Sequence, residues 1–213
     1  MKKFKALLVV ACALLLVAAS VFGTMAYLTS QDTVTNTFTV GKVAIKLDEA
    51  KANTDGSLVE GAARVKANSY KLLPGHTYNK DPMVTVLSGS EPSYVKMTVT
   101  FSKASALDAI FAPTGAELTS IFNGYDKANW IYKGNTKNAT ADTRTYEFWY
   151  KEAVGAPTAD VALDALFDSI TVPGEITKEQ LETIKGMTIT VNAYAIQADG
   201  FDTADKAWEA FKN

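Results

Sequence analysis

The chain has 213 residues, with 21 Lys+Arg against 23 Asp+Glu, one His and one Cys, for a formal net charge of −2. That length suffices for one domain with a proper core. The mildly acidic balance argues against a nucleic-acid partner, and a lone cysteine, Cys12, excludes an intrachain disulfide.

Residues 1–26 read as a secretion signal. Lys2, Lys3 and Lys5 form a positive n-region, Ala6–Phe22 is an uncharged apolar run, and Thr24-Met25-Ala26 is a small-x-small cleavage site. Cleavage is expected between Ala26 and Tyr27, in preference to a cut after Ala19 or Ser20. The alternative is an uncleaved anchor, although Ala6–Phe22 is barely long enough to span a bilayer and no cationic stop-transfer cluster follows. Val9-Val10-Ala11-Cys12 resembles a lipoprotein box only superficially, because cleavage there would leave the apolar stretch Ala13–Phe22 on the product. Removing the leader takes away three lysines and the cysteine, so residues 27–213 carry a net charge of −5 and no thiol. Abundant Thr, frequent aromatics and sparse Pro suit a secreted β-rich domain.

Directly after the leader comes an alternating stretch. Thr33, Thr35, Thr37 and Thr39 occupy one parity; Val34, Asn36, Phe38 and Val40 occupy the other. In the next strand, 42–48, the apolar residues Val43, Ile45 and Leu47 are odd. One continuous strand cannot show both sets to one core. The parity changes at Gly41, which permits a bulge or a sharp bend. The segment 27–40 is therefore expected to leave the body of the domain at a hinge near Gly41.

Residues 49–70 are polar and read as a loop with Asp55-Gly56 as a turn; Pro74-Gly75 marks another. Met83–Leu87 is a short strand. Tyr94–Ser102 is the clearest half-buried one, with Val95, Met97, Val99 and Phe101 inward and Lys96, Thr98 and Thr100 outward. Residues 104–123 have helical spacing, broken at Pro113-Thr114-Gly115. Trp130–Tyr132 and Thr143–Lys151 form a hairpin through the polar turn 133–142. Asp160–Asp168 is expected to be a short helix and Ile170–Val172 a short strand. Thr177–Lys185 is a helix with a capping box, Thr177 and Gln180, stopped by Gly186. Met187–Ala198 is a long strand with Met187, Ile189, Val191, Ala193 and Ala195 on one face, and Asp202–Phe211 a terminal helix. The fold class expected is all-β: a jelly-roll-like two-sheet β-sandwich with inserted and C-terminal helices.

Signals for catalysis are poor. His76 sits beside the Pro74-Gly75 turn, no H-E-x-x-H or G-x-S-x-G stretch is present, and a zinc hydrolase needs several convergent ligands. His76 reads as a surface turn residue. Asp199, Asp202 and Asp205 are more simply acids at a helix N-terminus than a calcium loop. Asn138-Ala139-Thr140 matches a glycosylation sequon, a common chance match. Tyr146, Phe148 and Tyr150 share a face opposite Trp149; the hairpin aromatics, with Trp130, form either one face of the core or a sugar- or protein-binding platform. No catalytic residue, metal ligand or cofactor is expected.

A free N-terminal strand can pair with its own sheet or with the open edge of another copy, using the same backbone groups. Here a resemblance bears on the choice. Gly23-Thr24-Met25-Ala26-Tyr27-Leu28-Thr29, Asn36-Thr37-Phe38-Thr39-Val40-Gly41-Lys42-Val43, Leu73-Pro74-Gly75 with Lys80-Asp81-Pro82, and Ala195–Phe201 resemble the TasA/camelysin family of secreted Gram-positive surface proteins. The resemblance implies a jelly-roll domain, export with a SipW-type signal peptidase, and fibres of the biofilm matrix in which each N-terminal strand completes the next subunit's sheet. By that likeness, 1–26 is the signal peptide, 27–41 the donor-type strand (Thr33, Val34, Thr35, Asn36, Thr37, Phe38, Thr39, Val40) and hinge (Gly41), and 42–213 the jelly-roll domain. The partners implied are other copies of the chain, head to tail, together with an accessory matrix or anchoring protein. Camelysin-like members have been classed as cell-surface metalloproteases. That activity, or a monomeric surface binding module using Trp130 and Trp149, is the alternative.

Overall fold

The computed structural model describes residues 3–5, 10–14, 40–111 and 121–211. The chain divides into two units, Met1–Thr39 and Val40–Asn213. In the first, residues 3–5 and 10–14 are helical. No helix among the described residues is long and apolar enough to cross a membrane. The cleavage pair Ala26–Tyr27, the strand residues Thr33–Thr39 and the break at 113–115 lie outside the described residues.

The second unit is an all-β sandwich with inserted and C-terminal helices. Its strands are β1 (Ile45–Asp48), β2 (Thr77–Asn79), β3 (Met83–Val86), β4 (Ser93–Ser102), β5 (Trp130–Asn138), β6 (Thr143–Tyr150), β7 (Val161–Ala162), β8 (Ser169–Thr171) and β9 (Ile189–Gln197). Its helices are α1 (Ala104–Ile110), α2 (Lys178–Ile184) and α3 (Ala204–Ala210). One sheet has the order β5-β6-β4-β9, a second β1-β3-β7, and β2 pairs with β8. Every pairing is antiparallel.

Strand β4 sits between β6 and β9 and carries the plainest pattern. Val95, Met97, Val99 and Phe101 are 0 % exposed, while the intervening residues face outward. They share one core with Tyr146 and Phe148 of β6, Val84 and Val86 of β3, and Leu163, Leu166 and Phe167. Burying each such side chain contributes about 1.5–3 kcal/mol. A smaller cluster, Tyr78, Val172, Ile176 and Ile184, lies between the β2–β8 pair and α2. Asn123 pairs with Ser169, which holds Phe122 in the main core. Gly124, at φ 69°, is required there, since a Cβ would stand 1.9 Å from Asp168 Oδ2.

The expected helix over Asp160–Asp168 does not form. Leu163, Leu166 and Phe167 have helical spacing, but their segment's donors go elsewhere. Leu163 N–H bonds Val84 O at 2.8 Å and Leu166 N–H bonds Pro82 O at 3.0 Å, while Val161 and Ala162 pair with Val86 and Thr85 as β7. Tertiary pairing overrides the local periodicity. The first hairpin strand is longer than expected: β5 runs on to Asn138, with a bulge between Tyr132 and Gly134, whose φ is 121°. The strand β2 and its pairing with β8 carry no signal in the sequence reading.

Helix ends are satisfied in three ways. α2 has the capping box expected, Thr177 with Gln180. In α3, Thr203 accepts from Lys206 N–H. α1 has no cap from its own chain start; instead Asp142, at the hairpin tip with φ 48°, accepts from Ser105 N–H at 2.9 Å and Ser105 Oγ at 2.8 Å. α1 also returns to the sheet through Asp108. Arg144 donates to both Asp108 carboxylate oxygens at 2.7 and 2.6 Å, and Lys137 Nζ lies 2.8 Å away.

Burial pushes the Asp108 carboxyl up, but the Arg144 and Lys137 hydrogen bonds outweigh it and hold the group below the ordinary carboxylate value. With the folded value depressed, this stabilisation is fully present above the unfolded carboxylate pKa of about 4 and is lost as pH falls through the folded value. Asp108→Asn is expected to cost about 1.5–3 kcal/mol at pH 7 in urea unfolding. The gap to the unsubstituted chain should close as pH falls below about 4. A gap constant down to pH 2 would assign the loss to packing instead.

Candidate functional site: an open sheet edge and the strand that precedes it

The four-stranded sheet ends at β9, and this end differs from its opposite edge. β9 bonds β4 from Ile189, opposite Phe101, to Gln197, opposite Ser93. Among the described residues no strand pairs with its other edge. The inward residues Ile189, Val191, Ala193 and Ala195 pack on the core yet are only partly covered, unlike the fully buried row beside them on β4. Across the sandwich, Ile45 and Leu47 of β1 are likewise only partly covered. Ala193 and Ala195 are short, so the row is shallow where an added strand's side chains would sit.

Nothing in β9 discourages pairing. Its sequence, ITVNAYAIQ, has no Pro, no Gly and no charge. By contrast, edge strand β5 carries a Gly134 bulge and the lysines Lys133 and Lys137, features that blunt edges against addition. The four-stranded sheet thus has one guarded edge, at β5, and one, at β9, that no strand among the described residues covers.

The body of the domain begins at Lys42. Lys42 O accepts from Glu91 N–H at 2.8 Å and Ala44 O from Leu87 N–H at 2.9 Å, while Ala44 N–H bonds Ser90 Oγ. Val40, the last residue of the expected assembly strand, is 97 % exposed. Gly41 marks the transition, but not through a left-handed backbone. A Cβ there would meet the Glu91 side chain at 2.8 Å, so the glycine admits a close approach.

The other sequence candidates have ordinary surroundings. His76 is an exposed turn residue, its ring 6.4 Å from Tyr78. Among the described residues no group of three His, Cys, Asp or Glu is gathered as a metal site would need, and Asp205 pairs with Lys133 Nζ at 3.2 Å. The hairpin aromatics divide between faces. Trp130 is 1 % exposed, its Nε1 donating to Asp164 O, so it cannot line a platform. Trp149 lies on the outer face, under the Lys133 ammonium at 3.9 Å and near Trp208 of α3. Burial raises the Tyr146 phenol above its usual range, so it is neutral and unreactive at neutral pH.

Sequence reasoning missed a partly buried charge network at the end of β1. Arg64 Nε bonds Asp48 Oδ1 at 2.5 Å, its Nη1 bonds Asp81 Oδ2 at 2.7 Å, and Lys80 Nζ bonds Glu49 Oε2 at 2.6 Å. Burial pushes the Asp48 carboxyl up, yet the Lys46 and Arg64 hydrogen bonds hold it below its ordinary value. The network ties the 49–68 loop to Lys80-Asp81. Two acids ending one strand, with a Lys-Asp-Pro run downstream, were the only signal available. Comparison with models of known families, with curated proteins and with solved structures finds no match.

Proposed function

We propose that this protein is a secreted structural subunit of the extracellular matrix or cell surface, assembling head to tail into fibres. In this reading a signal peptidase of SipW type removes residues 1–26, and the freed strand 27–40 of one copy adds to the outer edge of β9 in the next. The observation that carries the reading is the outer edge of β9, which no strand among the described residues covers and whose inward row is half-covered. The resemblance in the leader and the following strand points the same way.

The energetics suit a reversible but cooperative polymer. Each added backbone hydrogen bond contributes about 0.5–1.5 kcal/mol net, and burying Phe38 or Val34 about 1.5–3 kcal/mol each. The same strand can fold back on its own β9, favoured when dilute by the high effective concentration of a tethered segment. Crowding shifts the balance toward neighbours. Before cleavage the leader burdens the strand's leading end, so processing acts as the switch.

Electron microscopy and sedimentation of three forms test this: the chain cut after Ala26, the uncut chain, and a form lacking 27–40. The cut chain is expected to form fibres at high concentration. The uncut chain and the deletion should not, with the deletion keeping the far-ultraviolet dichroism of a β-fold. Fibres from the deletion, or a cut chain that stays monomeric at high concentration, would sink the assembly mechanism.

A further inference from the structure

A groove of about 770 Å³ lies between the 68–72 segment, α2 and the first residues of β9. That is within the range of small-molecule sites. Its floor is the exposed side of the smaller core: Tyr70, Leu72, Leu181 and Met187 are half-buried members of that cluster and all line the groove. A narrow cleft of about 30 Å³ adjoins it, sharing Tyr70, Leu72 and Met187 and continuing between Phe111, Ile170 and Ile184. This is apolar surface left without a covering element among the described residues.

The walls are cationic. Lys71, Lys80, Lys178 and Lys185 line the groove against a single acid, Glu182, which pairs with Lys185 at 3.3 Å. Lys80 is itself buried and bonded to Glu49. With Lys80 and Lys185 paired, Lys71 and Lys178 are the groove lysines without an ion-pair partner among the described residues, an excess of positive charge on a chain that is net negative. A cation-lined mouth over an apolar floor selects a ligand with an anionic head and a hydrocarbon tail.

We infer that this groove binds an anionic amphiphile, a carboxylate bearing an unbranched hydrocarbon chain, with its head between Lys71 and Lys178 and its tail along Leu72, Leu181 and Met187. The groove borders β9 at Ile189, but its test does not depend on fibre formation.

The test is a titration of the full chain with decanoate, followed through the methionine methyl resonances. Met187 lines the groove, whereas Met97 is sealed in the main core and serves as an internal control. The Met187 signal is expected to shift saturably, below the concentration at which decanoate aggregates, with Met97 unmoved. Decyltrimethylammonium, with the same tail and the opposite charge, should bind at least tenfold more weakly. The double variant K71E/K178E alters two exposed residues, should unfold at the same temperature, and should weaken decanoate at least tenfold; Leu181→Glu should abolish the shift. An absent or non-saturating Met187 shift, equal binding of the two amphiphiles, or K71E/K178E binding decanoate undiminished would overturn the assignment.

Discussion

Truncating Phe122 to alanine is expected to cost about 3–5 kcal/mol in equilibrium urea unfolding. Phe122 is 1 % exposed and stands where four other rings meet. Its centroid lies 4.6 Å from Phe167, 5.3 Å from Tyr146, 5.8 Å from Phe101 and 5.9 Å from Phe148. The Tyr146 and Phe148 pairs are edge-to-face, a geometry worth something beyond area alone. Three of these rings, Phe101 on β4 and Tyr146 and Phe148 on β6, sit on adjacent strands of one sheet, which limits collapse around the void. Leu58→Ala, at an exposed loop position, is the control and should change stability by less than about 0.5 kcal/mol. A Phe122→Ala loss no larger than that of the control would mean that this aromatic cluster does not organise the core.

Replacing Lys80 by methionine is expected to be comparably severe, for an electrostatic reason. The Lys80 and Glu49 side chains are 9 % and 7 % exposed, and their charged atoms lie 2.6 Å apart. Removing the ammonium leaves Glu49 buried with only the Asn68 side-chain amide, at 3.0 Å, to stabilise its charge. Breaking such a pair from one side costs about 3–5 kcal/mol, whereas removing both charges is often close to neutral. The double variant Lys80→Met with Glu49→Gln should therefore recover most of the loss in the same unfolding experiment. If the double variant is no more stable than Lys80→Met alone, the penalty comes from packing and not from an orphaned charge.

What the sequence shows directly is what short-range periodicity encodes. Val95, Met97, Val99 and Phe101 alternate strictly because β4 is covered on one face, and the structure buries them all. The Thr177–Gln180 box and the odd-numbered row of β9 were readable for the same reason. The apparent helix at Asp160–Asp168 failed because its backbone partners are Val84 and Pro82, distant in sequence. The Arg64 network escaped notice because its members are spread from Asp48 to Asp81. Of the proposed assembly site, the change of parity at Gly41 was visible in the residues. The place of β9 at the edge of the described sheet was not, because an edge is defined by which strands lie beside it, and no residue of β9 records that.

The placement of Asp142 imposes an order of events on this part of the chain. The group that finishes the start of α1 arrives from the far tip of the β5–β6 hairpin, 37 positions later in the sequence. During synthesis the helical segment therefore emerges well before its cap. Only when the two hairpin strands have closed to their last pair does Asp142 come within reach of Ser105. Any insertion into the 139–142 turn would shift that carboxylate away from the helix it serves, so a loop that looks free to vary is constrained in length by an element it does not adjoin.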